Sequence, residues 1–447
     1  MNQPIGLITR LRGDWPFPAG KSPVFYGWII AGLSTLGFLF SVPGQTMGMA
    51  VFADAFIEVT GLSRTELSLA YMFGTIASAF FLTRAGRLFD AYGARIVLIL
   101  AALILGASIL FLSVVDRASE YVAILVGIDS SVIAFLLMVA GYFGVRFSGQ
   151  GVMTSASRNV LLLWFEQRRG LVSGVRGVFV SLGFSLAPLL LAMLIDQWQW
   201  RAALWWLALI VGPVFALLCI VLVRDRPEVC GLQVDNQPVA SFAQERRAPQ
   251  YSYSLQQVRR NIVFWLYSLG LSIHALFGTA VTFHIVAIFA EAGRSREEAF
   301  AYFIPQAVVS VATNLSASAL ADYARLKPFL LVMLVSFTLG AVGLIYLQHQ
   351  TGYWALVLGF GVGGGLWGML ANLAFIRHYG PKHLGEISGL NTSLTVFASA
   401  IGPLLFSVAY DVSGTFTAGP MLCIAGLLAL TLVSAVIKQP LDIAPGR

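Results

Sequence analysis

Charge is what this sequence has least of. Only 11% of its 447 residues are Asp, Glu, Lys or Arg, where an ordinary soluble domain carries about a quarter. That excludes an ordinary water-soluble chain. Cysteine is scarce too: Cys219, Cys230 and Cys423 build no disulfide framework and lack metal-ligand spacing, so no metal or cofactor is expected. The first residues, MNQPIGLITRLRGDWPFPAGKSPV, hold no apolar stretch long enough for a cleavable signal peptide, and none is expected. The formal net charge of +7 comes without a folded basic domain, so nucleic acid is not an expected partner. Acids are missing from the middle of every apolar run: Asp54, Glu58, Glu66 and Asp129 all fall toward run ends.

What the chain has instead is long apolar runs. Twelve recur between charged or Pro/Gly-rich breaks, most of them able to cross the ~30 Å hydrocarbon core as a helix. Helices are expected because they satisfy their own backbone hydrogen bonds in lipid. Six runs are Phe25–Ala53, Ser63–Thr83, Arg95–Val115, Ser131–Leu163, Leu171–Ile195 and Ala202–Val223. The other six are Ile262–Ala290, Ala299–Ala321, Pro328–Leu347, Tyr353–Ile376, Ile387–Tyr410 and Phe416–Ile437. Most cations fall on one side of these runs, leaving Arg64, Arg117, Arg201, Arg294 and Arg296 on the other. The positive-inside rule then places both termini in the cytoplasm. The expectation is a multi-pass protein of the plasma (inner) membrane, bathed in lipid. Its expected parts are a cytoplasmic segment (1–24), a six-helix half (25–223), a linker (224–260), a second half (261–437) and a tail (438–447).

The halves repeat. Gly170–Asp196 aligns without gaps on Gly385–Asp411, matching Gly170 with Gly385, Ser173 with Ser388, Pro188 with Pro403 and Asp196 with Asp411 at an offset of 215. GRLFDAYGAR (Gly86–Arg95) echoes SALADYARLK (Ser318–Lys327) at an offset of 232, keeping Asp90 and Asp322. The difference of 17 predicts an insertion in the first half, with Asp116–Val132 as a longer outer loop or interfacial segment. The fold class is therefore an all-α membrane protein of twelve transmembrane helices in two parallel six-helix halves, one of the repeat arrangements of secondary transporters.

One charge stands in the wrong place. Arg146 lies inside the Ser131–Leu163 run, and a central Arg costs roughly 2.5–3.5 kcal/mol on insertion scales, so it should face protein or a water-filled cavity. Tyr142, Arg146, Gln150, Met153 and Ser157 stack on one face at α-helical spacing. The 215 offset sets Arg146 against Gly361, so the shared scaffold does not require the cation. With no central acid to pair it, a guanidinium fits a carboxylate or phosphate in two-pronged fashion. The alternative is that it bonds backbone carbonyls near the broken first run. Pro43 and Gly44 in SVPGQTMG break that run beside Gln45 and Thr46. His274 is the candidate for proton handling. Gln306, next to Pro305, and Asn314 could face a cavity or join helices. Arg158 and Arg176 are expected to snorkel to the inner interface.

GRLFDAYGAR resembles the loop signature of the major facilitator superfamily, Gly-x-Leu-x-Asp-x-x-Gly-x-Arg, and WFEQRRG (Trp164–Gly170) sits at that superfamily's second basic turn. RDRPEVCGL, YGPKHLGEISGL and IGPLLFSVAYDVSG are similar to the monocarboxylate-transporter and oxalate/formate-exchanger branch. The resemblance implies a transporter, not an enzyme, whose loop residues Gly86, Asp90, Gly93 and Arg95 latch one state of an alternating-access cycle. The residues themselves place Asp90 to suit the dipole of the helix starting near Arg95. The pattern departs in the eighth and eleventh runs, which hold no cation, so oxalate is not the expected substrate. The expected function is secondary active transport of a small, monocarboxylate-like organic anion by a monomer. Its expected substrate contacts are Arg146, Tyr142, Gln150, Gln45, His274 and Gln306. The alternative is a multidrug or metabolite exporter of the same fold.

Overall fold

Lipid leaves an apolar backbone little choice but to bond to itself along its own axis. Accordingly, the described residues of this computed structural model, 14–236 and 252–437, are helical or irregular and contain no strand. Arg10, Arg12, Arg246, Arg247 and the 438–447 tail lie outside the described residues.

The first span is broken into α1 (Gly27–Phe40), α2 (Thr46–Ala50) and α3 (Ala53–Thr60). Pro43 has no N–H to donate, and the chain tightens into a short 3-10 turn at Val42–Gly44. The second span is α4 (Arg64–Tyr92), started by a Ser63/Glu66 capping box. The third is α5 (Ala94–Ser113), followed by a short outer helix α6 (Val115–Val126). The fourth runs without interruption through α7 (Ser130–Val145), wide π-type turns at Arg146–Met153, and α8 (Thr154–Trp164). α9 (Arg169–Leu209) carries the fifth span and the start of the sixth, parted at Gln199, whose φ is 64°. The sixth ends in π-type turns around Pro213 and α10 (Phe215–Leu222).

After a short α11 (Leu255–Arg259), the second set is more regular: α12 (Ile262–Glu291), α13 (Arg296–Ala301) leading into α14 (Phe303–Ala321), α15 (Leu326–Ile345), α16 (Gln350–Tyr379), α17 (Leu384–Ser413) and α18 (Ala418–Val436). Ten helices among the described residues are individually long and apolar enough to cross a membrane. The broken first span and the separable fifth bring the arrangement to twelve.

The extra residues of the first half form α6 and a longer α7 start, not an open loop. α6 packs against α7 and α3. Asp116 fixes it by a two-pronged pair with Arg201, at 3.1 and 2.5 Å, while Arg201 also donates to the Ser113 carbonyl. Burial pushes the Asp116 carboxyl up, but the Arg201 fork and the backbone amides of Arg117 and Asp116 together outweigh it and hold the acid below the usual carboxylate range.

Packing divides the chain into two compact units that trade two short segments relative to the repeat. Unit 1 is Met1–Glu166, Leu182–Gln250 and Leu384–Ser393; unit 2 is Gln167–Ser181, Tyr251–His383 and Leu394–Arg447. The first turns of α9 thus belong to unit 2, and the first turns of α17 to unit 1.

Within unit 1 the break in the first span lies against the wide turns of the fourth. A Cβ on Gly44 would stand 2.5 Å from the Val145 carbonyl and 2.7 Å from the Gly149 Cα, so the two backbones touch. Small residues allow this approach, as they do between membrane helices generally. Gly44→Ala should therefore cost about 1–3 kcal/mol by overpacking, whereas Gly32→Ala, which meets nothing within 4 Å, should leave stability unchanged. Thermal unfolding of the two variants in detergent checks the contrast.

Candidate functional site

Arg146 opens the wide turns of the fourth span and is 2% exposed. Its Nε donates to Thr75 Oγ1 of α4 at 3.1 Å, and its Nη1 to the Gly44 carbonyl at 3.1 Å. The break in the first span makes that carbonyl available. In an unbroken helix it would accept from Gly48 N, which instead bonds to the Gln45 carbonyl. The guanidinium also lies over the Tyr71 ring, 5.0 Å from its centroid, a cation–π contact. Tyr71 donates to Thr46 Oγ1 at 2.8 Å and meets Tyr142 edge-on at 5.2 Å. No carboxylate pairs with Arg146 among the described residues, and Nη2 has no hydrogen-bond acceptor there.

Of the expected contacts, Tyr142 joins this cluster, while Gln45 and Gln150 lie on the same two spans. Tyr142 is buried against Tyr71 and Phe56. Gln150 is half-buried, and its Oε1 lacks a hydrogen-bond partner among the described residues. Gln45 donates to Ser41 Oγ at 3.2 Å inside the broken span. The expected α-helical stack does not continue to Ser157, because the wide turns wind less per residue. Ser157 is turned onto α1, where its carbonyl accepts from Ser34 Oγ at 2.6 Å.

His274 and Gln306 belong to unit 2 and to a different environment. His274 stacks on Phe337 at 4.3 Å, with Trp367 at 5.2 Å, and its Nδ1 is buried without a hydrogen-bond partner among the described residues. Gln306 reaches the Phe360 carbonyl only at 3.5 Å. Asn314 joins helices, donating to the Gly365 carbonyl at 3.0 Å. Arg176 does not snorkel: it is 5% exposed and donates to Asn372 Oδ1 at 2.6 Å.

The loop signature is built for backbone capture. Asp90 accepts from the amides of Gly385 and Glu386, at 2.7 and 2.8 Å, at the start of α17. Asp322 repeats this in unit 2, accepting from Gly170 and Leu171, at 2.8 and 3.2 Å, at the start of α9. A carboxylate at a helix N-terminus meets both free amides and the positive end of the dipole. Gly86 lets the two chains touch, since a Cβ there would lie 2.0 Å from the Gly385 carbonyl. Asp90 therefore caps α17, and not the third span as its position in sequence suggests. Asp225 takes the third span instead, accepting from Arg95 N at 2.8 Å. Gly93, at φ 88°, makes room for that carboxylate. Arg95 is fully buried, donating to the carbonyls of Val223 at 2.5 Å and Trp15 at 2.8 Å.

Tyr71 and Thr75 escaped the sequence reading. Their spacing of four in YMFGT is the same signal that singled out Tyr142 and Arg146, but neither carries charge, so neither stood out.

The family profile described as Major Facilitator Superfamily matches residues 33–403. The hexuronate transporter of Bacillus subtilis (strain 168) is 22% identical over 462 residues, covering 95% of this chain and 97% of its own. The solved structure of the proton:xylose symporter XylE bound to 6-bromo-6-deoxy-D-glucose aligns with a TM-score of 0.65 at 14% identity, over 91% of this chain and 94% of that one. The human organic anion transporter MFSD10 (TETRAN) aligns with a TM-score of 0.60 at 18% identity, over 93% and 100%. At these identities the structural likeness concerns the fold.

Thr75→Val should leave a buried guanidinium N–H without its acceptor, at about 1–3 kcal/mol. Thr75→Ser keeps the hydroxyl and should stay near wild type. Melting temperatures of the two variants in detergent check this.

Proposed function

The chain belongs to the Major Facilitator Superfamily, and from that premise we propose that it is a secondary transporter of a small organic anion of the monocarboxylate class, hydroxylated acids included. It is a multi-pass membrane transporter and not an enzyme. The observation that carries the anion reading is Arg146: a buried guanidinium with two nitrogens committed to protein, one without an acceptor, and no carboxylate among the described residues to neutralise it. A substrate carboxylate at Nη2 would supply the missing charge. Tyr71, which the guanidinium overlies, and Thr46, which accepts from Tyr71, are neutral polar groups suited to hydroxyls. One similar protein is named a hexuronate transporter, and a hexuronate is a hydroxylated monocarboxylate.

In this reading Arg146 has a second task. Its Nη1 holds the broken first span through the Gly44 carbonyl, so an anion arriving at Nη2 is felt by that span. Asp90 and Asp322, each capping the start of a helix whose remainder belongs to the other unit, act as latches. The cation count places both termini in the cytoplasm.

Counterflow in proteoliposomes with labelled L-lactate, D-glucuronate and oxalate tests this. Wild type should exchange a monocarboxylate, Arg146→Gln should lose at least tenfold, and Arg146→Lys should recover only part, since an ammonium cannot hold Thr75, Gly44 and an anion in the planar guanidinium's directions at once. Undiminished exchange by Arg146→Gln would make the Arg structural only. No exchange of any of these anions by wild type would favour the exporter.

A further inference from the structure

The cytoplasmic-half residue Arg158 is a second cation on the fourth span without a counter-charge. Its Nη2 is buried and has no hydrogen-bond partner among the described residues, and no ion pair reaches it there. Its neighbours in the helix are already committed. Ser157 faces α1, where its Oγ fills the space beside Gly37. Asn159 and Ser155 face the first turns of α17, with Asn159 Nδ2 donating to Ser388 Oγ at 2.8 Å and Ser155 Oγ lying 3.1 Å from Thr392 Oγ1. Arg158 therefore points between the side of the helix covered by α1 and the side covered by α17.

The wide turns bring this side chain into line with Arg146. Twelve residues of regular α-helix would rotate Arg158 roughly 120° away from Arg146. The π-type turns of Arg146–Met153 wind fewer degrees per residue, which takes up that angle and returns Arg158 toward the Arg146 face. The two guanidinium-bearing residues are separated by about 18 Å along the axis at most, at 1.5 Å per residue. Two unneutralised cations on one face of one helix, in a chain whose described spans offer neither an acid, favour anions along that face.

We infer that Arg158 is a second anion station, holding the substrate carboxylate transiently on the cytoplasmic side of Arg146. This rests on the anion reading of Arg146. The two stations divide the work: Arg146 sets affinity, and Arg158 sets the rate at which a bound anion passes.

The test compares wild type, Arg146→Gln, Arg158→Gln and Arg158→Lys, with labelled L-lactate and D-glucuronate as probes. Equilibrium binding in detergent is measured beside counterflow in proteoliposomes. Arg158→Gln should bind within about twofold of wild type yet exchange at least tenfold more slowly, and Arg158→Lys should keep most of the rate. Charge is then tested directly in Arg158→Cys/Cys230→Ser, since Cys219 and Cys423 are buried. The cationic 2-aminoethyl methanethiosulfonate adduct should restore exchange, and the neutral methyl adduct should not. Undiminished exchange in Arg158→Gln, or equal rescue by both adducts, would overturn the second station while leaving Arg146 as anchor. Absence of both binding and exchange in wild type would overturn the anion reading, and the second station with it.

Discussion

The bond from Arg146 to the Gly44 carbonyl joins two groups that neither lipid nor a regular helix would tolerate alone. Pro43 breaks the first span and leaves a carbonyl without its amide, while a guanidinium in mid-membrane costs several kcal/mol unless protein or water receives it. Each meets the need of the other at 3.1 Å. Their meeting requires the backbones of the first and fourth spans to touch, which explains glycine at both 44 and 149. Tyr71, Thr75 and Tyr142 then complete a wall around the cation. What is left over, one nitrogen and one net charge, is the chemistry available to a ligand.

The same economy of backbone capture recurs in the two loops. Asp90 and Asp322 each take two amides at the start of a helix, α17 and α9, whose opening turns pack with one unit and whose later turns pack with the other. The sequence repeat therefore survives as a repeated interaction, although the residues around it have diverged. In unit 1 neutral side chains line the first turns of α17, with Asn159 on Ser388 and Ser155 on Thr392. In unit 2 the corresponding stretch of α9 uses a charged donor, Arg176 on Asn372. Two backbone captures of one design thus differ in the groups that back them.

Much of this was legible in the residues. The twelve runs, the repeat and the isolation of Arg146 follow from apolarity and spacing, because lipid enforces both without regard to neighbours. The structural role of Arg146 was visible as an alternative, since Pro43 announced a free carbonyl. Other features depend on contacts between distant segments and leave no local trace. The wide turns at Arg146–Met153 carry two glycines, but glycine alone does not announce a π-type turn, and their packing on Gly44 does. Arg95 bonds to the carbonyls of Val223 and Trp15, segments 128 and 80 residues away in the chain that its local sequence does not name. Asp116–Val132 reads as a longer outer loop or interfacial segment because of its charges, and of the two the structure has a short helix, α6, with Arg201 taking up Asp116.

The central claim is that Arg146 offers its remaining valence to a negative charge, and ligand-dependent stability measures this most directly. A ligand that binds only the folded protein raises its stability by about 2.7 kcal/mol at one hundred times its dissociation constant. The measurement is the melting temperature in detergent against rising concentrations of L-lactate and D-glucuronate, each beside its uncharged methyl ester. The account predicts that one of the acids stabilises wild type, that its ester does not, and that Arg146→Gln abolishes the difference. Equal stabilisation by acid and ester, or an acid effect untouched by Arg146→Gln, would contradict it.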